Sequence, residues 1–248
     1  MARLTTSLQQ KRLPLVTRRE LLLLLSASSV MASLVLIFFW VPTEINQGVV
    51  QRIMYLHVPV ALASLAIFGL LFVTSAVYLW KRSQRWDALS YAAAEVGVLA
   101  LTLTIVTGAI WAKPTWNAWW TWEPMLTTLL ILWLMGVAYL ALRAYSPPGE
   151  RGARSAAVLG VLAGLTAPFV YFSVELWGNL SHPEKVIGPG RSADSEIGAS
   201  IGLTLMVSML SFALFFAALM VHRYKLRRSE DDVDALHLFN MQRRGSRP

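Results

Sequence analysis

The sequence has no cysteine among its 248 residues, which removes disulfides, thiolate metal sites and cysteine nucleophiles together. Metal or redox chemistry would fall to histidine, carboxylates or a bound cofactor, and histidine is scarce too, at four. Charge is sparse, 15% of residues against 56% hydrophobic, too little polar surface for an ordinary soluble domain. No HExxH, nucleophile elbow or phosphate-binding loop is present, so hydrolytic catalysis has no support and the reading is of a protein that is not an enzyme. Internal repeats and low-complexity tracts are absent as well.

What is abundant is uninterrupted apolar sequence. A bilayer core about 30 Å thick needs roughly 20 apolar residues as a helix. Six runs qualify, over 21–41, 53–80, 88–112, 125–142, 155–174 and 197–221, the third interrupted by Glu95. None alternates like a barrel strand, and a helix satisfies its own backbone in lipid. The fold class is therefore an all-α membrane bundle of six transmembrane helices. The first run is too long for a signal peptide and is followed by no clear cleavage site, so it reads as a retained anchor.

The net charge of +8 lies between the apolar runs, which encodes topology and not nucleic-acid binding. The two tails and the even-numbered loops hold 18 of the 22 lysines and arginines. Both termini are thereby expected in the cytoplasm, with loops 1, 3 and 5 outside. The chain divides into one membrane domain, 1–222 with its short basic N-terminal segment, and a polar, mixed-charge cytoplasmic tail, 223–248, read as partly helical.

Five of the ten tryptophans fall in one short stretch, Trp111, Trp116, Trp119, Trp120 and Trp122, within the external loop between helices 3 and 4. An interfacial aromatic belt accounts for Trp40, Trp80 and Trp177, which stand singly at helix ends. Five indoles in one loop exceed what anchoring requires. If the loop forms a short surface helix, Trp116, Trp119 and Trp120 share a face and make a π platform for a large planar ligand. The topology puts His57, one turn inside helix 2, and His182, just beyond helix 5, on that same side. Each taken alone is an ordinary packing or capping histidine. Two at one depth beside an aromatic platform are also what bis-imidazole ligation of a haem iron requires. His222 and His237 lie at the opposite end, which disfavours a transmembrane electron-transfer cytochrome. Arg52 sits at the water boundary, placed either as a snorkelling anchor or to pair with a propionate. Glu123 and Glu175 border the site and are candidates to orient a ligand or a partner. Glu95, a lone carboxylate within helix 3, lies nearer the other side and is assigned to helix packing or a partner contact.

The tryptophan-rich loop, the run RIMYLHVP from Arg52 to Pro59 and the segment SVELW from Ser173 to Trp177 resemble haem exporter protein C, the cytochrome c maturation protein C of the haem-handling superfamily. The resemblance runs from about residue 45 to 222. It implies that haem b is bound transiently on the extracytoplasmic face of the bacterial inner (cytoplasmic) membrane, with His57 and His182 as axial ligands and the tryptophan loop as platform. It further implies delivery of that haem to a membrane-anchored chaperone, maturation protein E, in a complex with the ABC transporter subunits A and B and a small membrane subunit, maturation protein D. Beyond membrane lipids and these proteins no partner is implied. Three positions depart from the family pattern. The motif usually closes on Asp, here Glu123; it usually carries Arg two positions later, here Met125; and the second His usually follows the Trp by four residues, here five. A membrane transporter subunit for another amphipathic solute and a scaffold for an ABC transporter are the alternative readings.

Overall fold

A computed structural model describes residues 18–146, 149–177 and 198–245. Among them the chain is helical, and six helices are long and apolar enough to cross a membrane. They are α1 (Arg18–Val35, continued by a π-helical turn, Leu36–Trp40), α2 (Met54–Lys81, led in by a 3-10 turn, Val49–Ile53), α3 (Gln84–Trp116), α4 (Pro124–Tyr145), α5 (Glu150–Trp177) and α6 (Ala199–Gly245). Apolar side chains such as Leu24, Leu25, Phe39, Leu165 and Leu210 face outward, as lipid-facing surfaces do when only the backbone must be satisfied internally. The chain is a multi-pass membrane protein.

Helix α2 is central, packed against α3, α5 and α6; α4 lies on α5 and α3, and α1 lies on α6. Phe68, Leu71, Leu101, Leu132, Tyr139 and Val170 are fully buried where α2 to α5 meet. A second apolar cluster, Ile37, Val41, Met54, Tyr55 and Leu205, joins α1, α2 and α6 toward the end that carries the tryptophans. In lipid, helices associate by close contact more than by apolar transfer, so small residues mark the tightest crossings. At Gly164 a Cβ would lie 2.3 Å from Phe72 Cβ and 2.9 Å from the Phe68 carbonyl oxygen, so α5 meets α2 at backbone distance only because that Cβ is missing. Serines tie α1 to α6, with the Ser33 and Ser208 hydroxyls 2.7 Å apart.

The opposite, basic end is closed by ions. Arg143 of α4 donates two hydrogen bonds, 2.7 and 2.9 Å, to the carboxylate of Asp87 on α3. Glu95 pairs with Arg223 of α6, which also donates to Glu230 at 2.9 Å, so the lone carboxylate of the third apolar run serves helix packing. Tyr91 of α3 lies under three guanidiniums, those of Arg143 and Arg223 at 5.5 Å and Arg227 at 4.7 Å from the ring centroid. Helix α6 runs on unbroken to Gly245 through the sequence that is polar in composition.

Candidate functional site: an aromatic cleft around His57

The expected short helix in the tryptophan loop does not form. Helix α3 itself extends to Trp116 and stops at Asn117, which takes left-handed backbone (φ 57°) while Lys113 Nζ donates to its carbonyl and side-chain oxygens at 3.1 and 3.0 Å. Residues 117–123 are irregular until Pro124 opens α4 with its fixed φ. Trp111 and Trp116 therefore belong to a transmembrane helix, and Trp119, Trp120 and Trp122 to the loop.

The indoles nonetheless converge. Trp111, Trp116, Trp119 and Trp120 line one cleft with His57, Met125 and Leu129, and its floor reaches Val170 of α5. Its lining is apolar apart from His57, two threonine hydroxyls and the indole N–H groups. Trp122 lies outside the lining, 77% exposed, with its ring edge-on to Trp120 at 6.0 Å. Glu123 is buried at the N-terminus of α4 and also stands outside the lining.

His57 is held from α3. Its Nδ1 lies 3.0 Å from Thr107 Oγ1, and that hydroxyl donates its own proton to the Leu103 carbonyl at 2.7 Å. When the Thr107 hydroxyl gives its proton to that carbonyl, its oxygen is left to accept from Nδ1–H, an arrangement that puts the lone pair on Nε2. That is the tautomer able to ligate a metal through Nε2. Gly108 makes room for the ring, since a Cβ there would stand 3.0 Å from His57 Cε1. Trp111 walls the ring edge-on, centroids 5.8 Å apart and planes at 67°. Its indole N–H donates to Gln47 Oε1 at 3.0 Å.

Arg52 lies in the 3-10 turn before α2, and its Nε is buried with no hydrogen-bond partner among the described residues. The indole N–H of Trp120 and the hydroxyl of Thr121 are in the same state. A buried donor without an acceptor costs about 1–3 kcal/mol; of these three only Trp120 lines the cleft, and Arg52 and Thr121 stand outside its lining. His182 lies outside the described residues, as does the side chain of Glu175. Sequence reasoning missed Thr107, Gly108 and Gln47. Only Gly108 carries a local signal, a glycine within an apolar helix, which costs helix stability and so asks for a packing reason.

Fold and site together define a class: a polytopic membrane protein with an aromatic cleft at one end of the bundle, into which a transmembrane helix presents one imidazole. The sequence model of Heme exporter protein C matches residues 5–238. Heme exporter protein C of Bradyrhizobium diazoefficiens is 35% identical over 179 residues, covering 72% of this chain and 66% of that protein. The Haemophilus influenzae protein of the same name is 32% identical over 194 residues, 77% of this chain and 76% of its own. The chain belongs to the Heme exporter protein C family.

Proposed function

We propose that this protein holds haem b as transient cargo in the tryptophan cleft and passes it on during c-type cytochrome maturation. The observation that carries the reading is His57, an imidazole that lines an apolar aromatic cleft with Nδ1 against the Thr107 hydroxyl. His57 binds the iron through Nε2, and His182 supplies the second axial nitrogen. Trp116, Trp119 and Trp120 lie against the porphyrin, with Trp111 at the side of the ligand ring. Arg52 meets a propionate with its buried Nε. Because Met125 stands where the family usually has a second arginine, Arg52 carries that charge compensation with help from the N–H of Trp120.

The cleft faces the extracytoplasmic side of the bacterial inner membrane, both termini being cytoplasmic. The receiver is the haem chaperone, maturation protein E, and the assembly includes the ABC transporter subunits A and B and the small membrane subunit, maturation protein D. The protein acts in it as a haem-handling subunit and performs no catalysis of its own. The test is the absorption spectrum of the full-length protein, purified in detergent with haem supplied and the chaperone absent. A six-coordinate low-spin Soret spectrum that is lost or shifted in His57→Ala is the expected result. Identical haem occupancy and spectrum in His57→Ala would overturn the assignment of the ligand.

A further inference from the structure

The short loop between α1 and α2 has no part in the cleft lining, yet it is densely hydrogen-bonded. Glu44 organises it. Its carboxylate accepts the backbone N–H groups of Asn46, at 2.8 Å, and Gln47, together with the Asn46 side-chain amide at 3.2 Å. Its carbonyl accepts the Gly48 N–H at 3.0 Å, closing a turn that needs φ +61° at residue 48 and therefore glycine. The turn fixes the backbone of Gln47, whose side chain crosses to α3 and accepts the Trp111 indole N–H at 3.0 Å. An indole can only donate, so the amide oxygen of Gln47 must be the atom that faces it. Tryptophans at a membrane boundary ordinarily turn this N–H to water or headgroups. Here it is committed to a residue 64 positions away in sequence.

Trp111 lies one helical turn after Thr107, and the two hold His57 together, one by hydrogen bond and the other by its ring wall. We infer that Gln47 is a positioning residue for the haem site: through the Trp111 indole it fixes the orientation of the His57 imidazole, with Glu44 holding Gln47 in place. The inference rests on the reading that His57 ligates haem, but the geometry it predicts is present without haem. Orienting the ligand ring is what hydrogen-bonded support around a metal ligand ordinarily does, and here that support comes from a loop outside the cleft.

The experiment uses the full-length protein in detergent, with the variants Gln47→Leu, Gln47→Glu, Trp111→Phe and the double variant Gln47→Leu with Trp111→Phe. Two readouts are taken. In protein carrying ¹⁵N-tryptophan and ¹³C-histidine, the Trp111 indole N–H and the His57 ring resonances, assigned with Trp111→Phe and His57→Ala, should both shift in Gln47→Leu. Both should stay near their wild-type positions in Gln47→Glu, which keeps an acceptor oxygen. In haemin titrations Gln47→Leu should bind about threefold to tenfold more weakly, the loss expected of one neutral hydrogen bond, with a larger high-spin fraction. The double variant should be no worse than Trp111→Phe alone. Unmoved His57 resonances in Gln47→Leu, or additive losses in the double variant, would overturn the inference. If the resonances shift as expected while the wild-type protein takes up no haem, the positioning stands and the haem reading falls.

Discussion

Thr107 is a lever on His57 that leaves the cleft lining untouched. Replacing it with valine keeps the shape and removes the hydroxyl oxygen that faces His57 Nδ1, now at 3.0 Å. Two effects follow, both weakening a bond from Nε2. The Nδ1–H loses its acceptor in an apolar setting, at a cost of about 1–3 kcal/mol. The imidazole can escape that cost by moving its proton to Nε2, which then has no lone pair to offer a metal. At tenfold per 1.4 kcal/mol, haemin affinity should fall by roughly 5-fold to 150-fold, overlapping the 10-fold to 100-fold usual for loss of a hydrogen-bond partner behind a metal ligand. The assay is haemin titration of the full-length protein, following the Soret band. Thr107→Ser keeps the acceptor and should bind like wild type. Thr102→Val provides the control: it removes a hydroxyl from the same helix, one that accepts the Trp133 indole N–H at 2.8 Å outside the cleft, and should leave affinity unchanged. Wild-type affinity and spectrum in Thr107→Val would refute the tautomer argument outright.

Gly108→Ala should separate stability from binding. Alanine is favoured over glycine within a helix by about 0.5–1 kcal/mol, so thermal stability in detergent should hold or rise. The new Cβ, 3.0 Å from His57 Cε1, displaces the ring, so haemin affinity should fall; unchanged affinity would show that the ring is not confined there. Arg143→Ala strips the partner from Asp87, a pair whose side chains are only 9% and 13% exposed. An uncompensated buried carboxylate costs about 3–5 kcal/mol, so the melting temperature should drop sharply and recover in part when Asp87→Asn is added. An unaltered melting temperature would deny the pair any role in stability. The Glu44 turn predicts a pH response. Backbone N–H groups of Gln47 and Asn46 hold the Glu44 carboxyl below its ordinary 4.5, so its contribution is full above that value and is lost as pH falls through the lower, folded one. The Gln47 backbone amide resonance, whose N–H the Glu44 carboxylate accepts, should be constant from neutrality down to about pH 4.5 and move only below it; no movement below that value would deny Glu44 control of the turn.

The six spans were legible because apolar length is the signal a bilayer imposes, and it does not depend on what each helix packs against. The same criterion does not give the extent of α6, whose tail reads as only partly helical from sequence and is helical to Gly245. Past Val221 the helix is supported by charge pairs at helical spacing, Arg227 with Glu230 and Asp231, and by the cross-helix pair of Arg223 with Glu95. That spacing was in the sequence but lay outside an apolar search. The convergence of Trp111, Trp116, Trp119 and Trp120 with His57 followed from topology alone, and all five line one cleft. The expected helix failed because Asn117 and Pro124 set a stop and a start too close together, leaving seven residues between α3 and α4 without a helical turn. Thr107, Gly108 and Gln47 were invisible for another reason. Each acts on a residue far away in sequence, through the register of α3 against α2 and of the first loop against α3, and no local pattern encodes that register.

The kind of partner behind His57 bears on what the proposed site does with its cargo. A carboxylate accepting from Nδ1–H raises the basicity of the opposite nitrogen and strengthens its bond to a metal, as in sites that retain their metal. Here the acceptor is a threonine hydroxyl whose proton is already given to the Leu103 carbonyl, a neutral group with modest pull on the imidazole proton. The basic end of the same helix is built the other way, with Asp87 and Glu95 in charged, multiply bonded pairs that fix α3 against α4 and α6. Fixing the far end while backing the ligand ring at Nδ1 with a neutral hydroxyl orients the imidazole with less pull on its proton than a carboxylate there would exert. That combination suits the proposed role of a protein whose cargo must leave: orientation makes capture specific, and a moderate bond keeps release within reach.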